Sequence, residues 1–138
     1  VVLPYPTHGV QLYGNVIIAS PKLLAEKPEA VRAFLKAFAK GAKEAIANPE
    51  AAIASLKAKD GLVNAPLEVK RLNLTIETAI DSQGARTEGF GRLRPERLQK
   101  MAEQVTNAYT TKNPVPVGAV WNGSFLPTAA ELDILPKK

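Results

Sequence analysis

The chain has 138 residues, 46% of them hydrophobic and 22% charged, which is enough apolar material for one packed core and too much for a disordered segment. It contains no cysteine and one histidine, which excludes a disulfide framework, a thiolate nucleophile, a cysteine-bound metal and any two-histidine metal site. The net charge of +5 comes from 18 basic residues interleaved with 13 acidic ones, so the sequence predicts a solvated surface, with no aromatic stacking platform and no nucleic-acid partner.

The opening stretch, VVLPYPTHGVQLYG, carries Pro4 and Pro6, which offer no backbone donor to a sheet, and it is expected to be an extended connector or edge segment. Gly9 and Gly14 permit a positive φ or a close backbone approach, and His8, Gln11 and Tyr13 lie between or beside them where a loop enters a strand. Val16 to Ala19 is short, apolar and β-branched, the composition of a strand buried on both faces. Tyr5, Tyr13 and Asn15 therefore sit at a loop-to-strand junction, the kind of place where open α/β sheets bind ligands.

Proline then recurs where a helix takes its first residue, at Pro21, Pro28, Pro49, Pro66 and Pro95, because the missing N–H costs nothing there and the fixed φ suits a helix. Helices are predicted over 21–27, 28–48, 49–59, 66–81 and 95–110, with Ser20 and Asn48 as side-chain caps and Asp60–Gly61 as a stop. In the second, Val31, Phe34, Leu35, Phe38, Ala42, Ala45 and Ile46 form the predicted core stripe, while Arg32, Lys36, Lys40 and Lys43 form a basic ridge on the opposite face. The fourth is expected to bury Val69, Leu72, Ile76, Ala79 and Ile80, and the fifth Leu98, Met101, Ala102, Val105 and Tyr109.

Gln83 to Arg94 reads as a loop, in which Gly89-Phe90-Gly91 is a turn and too short for a phosphate loop. Beyond Pro114 the chain reads as irregular, with a turn at Trp121 to Gly123 and Phe125 and Leu126 as anchors. Thr128 and Glu131 form a capping box for a last short helix.

Five main helices accompany one convincing strand, and a lone strand cannot satisfy its own backbone groups. The expected fold class is therefore α/β and helix-rich with an incomplete sheet, the chain being the C-terminal portion of a larger protein. Its partner strands would lie on a missing N-terminal portion or on a second chain. No run of about 18 apolar residues occurs, so no membrane-spanning helix is predicted. The only histidine, His8, and the scattered carboxylates form no acid–base or nucleophilic constellation, so no catalytic residue, metal or cofactor is expected, and the chain is read as a binding protein.

Four segments in order, LYGNVIIAS, LLAEKPEAVRAFLKAFAKGAKEAIANPEAAI, GFGRLRPERLQKM and WNGSFLP, resemble the C-terminal half of solute-binding proteins of ABC importers, nearest to the NMT1/THI5-like branch that is itself similar to nitrate, sulfonate and taurine binders. The resemblance implies a type II periplasmic binding protein, with two α/β lobes joined by crossing strands and a solute closed between them. It implies that residues 1–15 are a hinge crossing and cleft segment, that 16–138 supply a strand and helices of the first lobe, and that all of 1–138 is a partial domain. Tyr5, Thr7, His8, Tyr13 and Asn15 become the expected ligand contacts. Relatives often carry an acidic and an aromatic residue before the glycine matched by Gly9, where Thr7 and His8 stand here. The implied partners are a small polar or aromatic solute and the membrane subunits of an ABC importer, in the periplasm. Two other classes are weighed: an enzyme of pyrimidine-precursor synthesis on a similar fold, and a helical module whose basic ridge binds an acidic protein.

Overall fold

The computed structural model describes residues 5–10, 12–109, 112–113 and 115–137; of the predicted features, Pro4, Gln11, Thr110 and Pro114 lie outside the described residues. Eight α-helices occur among the described residues: α1 (Pro21–Glu26), α2 (Pro28–Ala47), α3 (Pro49–Lys59), α4 (Ala65–Thr75), α5 (Gln83–Glu88), α6 (Pro95–Tyr109), α7 (Val117–Val120) and α8 (Ala129–Leu132). A π-helical turn, Ile76–Ile80, extends α4, and 3₁₀ turns occupy Tyr5–His8 and Gly123–Phe125. The chain divides into two compact units, one made of residues 1–18 and 93–124 and the other of 19–92 and 125–138.

The helix starts follow the prolines. Ser20 Oγ accepts from the Leu23 N–H at 3.2 Å and Asn48 Oδ1 from the Ala51 N–H at 3.0 Å, so both predicted caps form. Lys27 makes no side-chain cap ahead of Pro28, as its lack of an acceptor requires. At α4 the cap is Asn64, whose Oδ1 accepts from the Leu67 N–H at 3.3 Å, and this moves the start to Ala65. The Thr128/Glu131 capping box is also present, with Glu131 Oε2 accepting from the Thr128 N–H at 3.0 Å.

Three expectations are corrected. The described residues contain no strand, and Val16 to Ala19 has no regular structure. Val16 and Ile18 are 64% and 87% exposed, and no backbone partner reaches Val16, Ile17 or Ile18 among the described residues. A β-branched run pairs only when a second strand lies alongside it, and none does here. The opening segment is likewise not extended throughout, since Tyr5–His8 coils into a 3₁₀ turn that the Val10 N–H closes on the Tyr5 carbonyl at 3.1 Å, with Gly9 at φ +81°. The stretch expected to be a loop from Gln83 contains α5, capped by Ser82, whose Oγ accepts from the Ala85 N–H at 3.2 Å.

In the second unit α2 is the hub, packing against α1, α3 and α8. Its inward line is Val31, Leu35, Ala42, Ala45 and Ile46, all half-buried, around Ala39, which is only 2% exposed. Phe34 and Phe38 fall outside that line, 55% and 47% exposed, as a stacked aromatic edge that continues to Phe90 with centroid separations of 6.3 Å. In α4 and its π turn Ala79 is exposed, while Val69, Leu72, Ile76 and Ile80 are half-buried. Besides Ala39, the buried side chains among the described residues of this unit are Leu132, Ile134 and Leu135 of its C-terminal segment and Ile53 of α3.

That C-terminal segment is tied down by main-chain and side-chain bonds. The Phe90 N–H donates to the Leu132 carbonyl at 2.9 Å, Lys43 Nζ to the Asp133 carbonyl at 3.0 Å, and Arg86 Nη1 to the Pro136 carbonyl at 3.1 Å. Arg86 is itself held by Asp81, Nη2 to Oδ2 at 2.7 Å. Gly89 makes the approach possible: its φ is +104°, and a Cβ there would stand 3.0 Å from Leu132 Cβ. Gly89→Ala combines a strained backbone with that overlap and is expected to destabilise the second unit by about 2 kcal/mol, read as a lower midpoint in urea unfolding, while Gly61→Ala, with open space around it, serves as the near-neutral control.

Candidate functional site

The five expected contact residues, Tyr5, Thr7, His8, Tyr13 and Asn15, all belong to the first unit, on the segment that precedes the apolar run. Tyr5, Thr7 and His8 lie exposed on the 3₁₀ turn, and Asn15 is exposed beyond Gly14. His8 and Asn15 have no hydrogen-bond partner among the described residues, so both keep their polar groups available.

Tyr13 differs. It is half-buried against α6, where its phenol oxygen accepts from the Arg94 N–H at 2.8 Å and its own N–H donates to Met101 Sδ at 3.3 Å. The Arg97 guanidinium lies over its ring, 4.3 Å from the centroid, a cation–π contact. The expected ligand hydroxyl is thus occupied in holding the start of α6, where an unpaired backbone donor would otherwise remain. The loop ahead of Tyr13 is gripped as well: Arg97 Nη2 donates to the Leu12 carbonyl at 2.8 Å and Gln104 Nε2 to the Gly9 carbonyl at 3.1 Å.

These gripping residues were not legible as such in the sequence. Arg97, Met101 and Gln104 follow at spacings of four and three, so they share one face of α6, and only Met101 was expected to be buried. It is half-buried, as is Val105, while Leu98 and Ala102 are the buried pair and Tyr109 is 78% exposed.

The second unit carries a shallow cleft of about 350 Å³ between the first turns of α2 and the segment leading into α8, lined by Glu29, Arg32, Lys36, Phe125, Thr128 and Glu131, among others. Its cations are engaged from within the unit. Lys36 Nζ lies 2.6 Å from Glu131 Oε1, Arg32 Nε lies 3.6 Å from Glu29 Oε1, and the Arg32 guanidinium covers the Phe125 ring at 4.9 Å. Further along the predicted ridge Lys40 pairs with Glu44 at 3.9 Å and Lys43 holds the Asp133 carbonyl. All four ridge residues are therefore drawn into the unit's own contacts. Among the described residues no group of three His, Cys, Asp or Glu side chains stands where it would hold a metal ion, and no helix is long and apolar enough to cross a membrane.

Residues 1–52 match the family described as NMT1/THI5 like, a stretch that spans the contact loop, the apolar run, α1, α2 and the first turn of α3. No curated protein and no solved structure gives a significant match to the chain. The family match and the helix-rich architecture agree with the first part of the resemblance drawn from the sequence.

Two outcomes follow from this geometry. Tyr13→Phe removes the acceptor of the Arg94 N–H and is expected to cost about 1 kcal/mol in the first unit, with Tyr13→Ala costing more through lost packing, both read by denaturant unfolding followed at residues of α6. In the cleft, the Lys36 hydrogen bond, followed by those from Thr128, lowers the Glu131 pKa from 4.5 to about 2. Glu131 thus contributes stability that is complete above its ordinary value and is lost as pH falls from about 4.5 towards 2. The pairing raises the Lys36 pKa above 10.5, so its contribution is present at lower pH and is lost as pH rises through that raised value. Glu131→Gln is expected to flatten the acid limb of the melting-temperature profile of the second unit.

Proposed function

We propose that the chain is the C-terminal part of an extracytoplasmic solute-binding protein of an ABC importer, with the type II periplasmic binding architecture. On this reading the missing N-terminal portion supplies the other lobe and the strands that flank Val16 to Ala19. The loop from Tyr5 to Asn15 is a hinge crossing that faces the cleft. A small polar or aromatic solute is captured there reversibly, closure expels water, and the membrane subunits recognise the closed form.

The observation that carries the reading is that the family match covers residues 1–52 and so includes every expected contact residue. The apolar run is consistent with it: Val16 to Ile18 is exposed and without backbone partners among the described residues, as a sheet strand would be when separated from its neighbours. His8 and Asn15, like the Tyr5 hydroxyl, have no side-chain partner among the described residues, and this reading rests solute orientation on His8 and Asn15. Tyr13 supports the loop from behind. The alternative of a helical module binding an acidic protein is weakened by the engagement of Arg32, Lys36, Lys40 and Lys43 inside the second unit.

The test is calorimetry on the complete receptor with nitrate, taurine and a substituted aminopyrimidine as probes. One of them is expected to bind stoichiometrically, and His8→Ala combined with Asn15→Ala is expected to weaken it by at least about tenfold without lowering the unfolding midpoint. Turnover of the pyrimidine instead of stoichiometric capture would move the protein to the enzyme class, and unchanged affinity in the double variant would remove the loop from the site.

A further inference from the structure

The side of α6 that faces the contact loop is polar where packing alone would favour apolar residues. Arg97 and Gln104 reach the carbonyls of Leu12 and Gly9, and between them Met101 accepts from the Tyr13 N–H. In doing so they leave two buried polar atoms, Arg97 Nε and Gln104 Oε1, without hydrogen-bond partners. Burying a donor and an acceptor unpaired is an unfavourable way to fill a helix face. What the arrangement provides in return is a fixed main chain in a segment whose described residues, 10 and 12–20, belong to neither helix nor strand.

We propose that Arg97 and Gln104 are positioning residues for the contact loop: they set the placement of His8 and Asn15 by holding the main chain between them, and they do not contact the solute. The geometry divides the work. Gln104 fixes Gly9, the residue next to His8, and Arg97 fixes Leu12 from its carbonyl and Tyr13 from its ring, two residues before Asn15. Gly9 has a φ of +81°, so the direction of the turn that presents His8 depends on a backbone conformation that neighbouring bonds must maintain. The role in solute binding rests on the function proposed above, whereas the role in fixing the loop stands without it.

His8, as the only histidine, supplies a single imidazole resonance that reports the loop directly in the 138-residue chain. Gln104→Glu preserves shape but cannot donate to the Gly9 carbonyl, and it is expected to shift or broaden the His8 signal as Gln104→Ala does. Gln104→Lys restores a donor and is expected to recover the wild-type signal. Arg97→Ala is expected to speed amide exchange at Tyr13, whose N–H is hydrogen-bonded to Met101, by about tenfold, with Arg97→Lys intermediate because it keeps a donor and loses the planar fork. A His8 signal that follows side-chain size at 104 and ignores donor capacity would overturn the proposal, as would exchange at Tyr13 indifferent to Arg97. A changed loop accompanied by no binding of nitrate, taurine or the aminopyrimidine to the complete receptor would leave the positioning role standing and count against the solute-binding function alone.

Discussion

The second unit depends on the return of its C-terminal segment onto α2. Leu132 and Ile134 are the most deeply buried large side chains in the protein, each 2% exposed, and they come from residues that no regular element of any length could hold. α8 has only four residues, far below the length at which a helix is stable by itself. Tertiary bonds from three places make up for this: the Phe90 N–H beside Gly89, Lys43 on α2 and Arg86 on α5. The Lys36–Glu131 pair joins α2 to α8 by a further route. Apolar burial supplies the gain, and the polar tethers select where it occurs.

The first unit solves the same problem for a segment that buries little. Its contact loop is irregular, so its carbonyls and N–H groups need partners from side chains, and α6 provides them through Arg97, Met101 and Gln104. The stretch that follows, Val16 to Ile18, finds no such partners. The contrast is informative: one stretch is finished by contacts within the unit, while the next keeps its apolar side chains and backbone groups open. Under the function proposed above, the first stretch would present the solute and the second would join a sheet completed by other residues.

Charge is used locally in this chain. A net charge of +5 and a ridge of four basic residues on one helix suggest a surface for an acidic partner, yet each of the four is engaged by a carboxylate or a carbonyl of the same unit. Most of these pairs are exposed and individually weak, so their effect is to neutralise the face more than to stabilise it.

The sequence by itself determined the local features. Proline in the first turn, Ser20 and Asn48 as caps and the Thr128–Glu131 box act within three or four residues, and each formed as the pattern predicted. Only the tertiary structure decided what Tyr13 does, because its partners Arg94 and Met101 lie more than eighty positions away in the chain. It likewise decided that α2 buries Ala39 in preference to Phe34 and Phe38, and that Val16 to Ala19 remains unpaired. A helix start is fixed by the groups next to it, whereas a strand or a gripping side chain is defined by whatever packs opposite, and no local pattern encodes that.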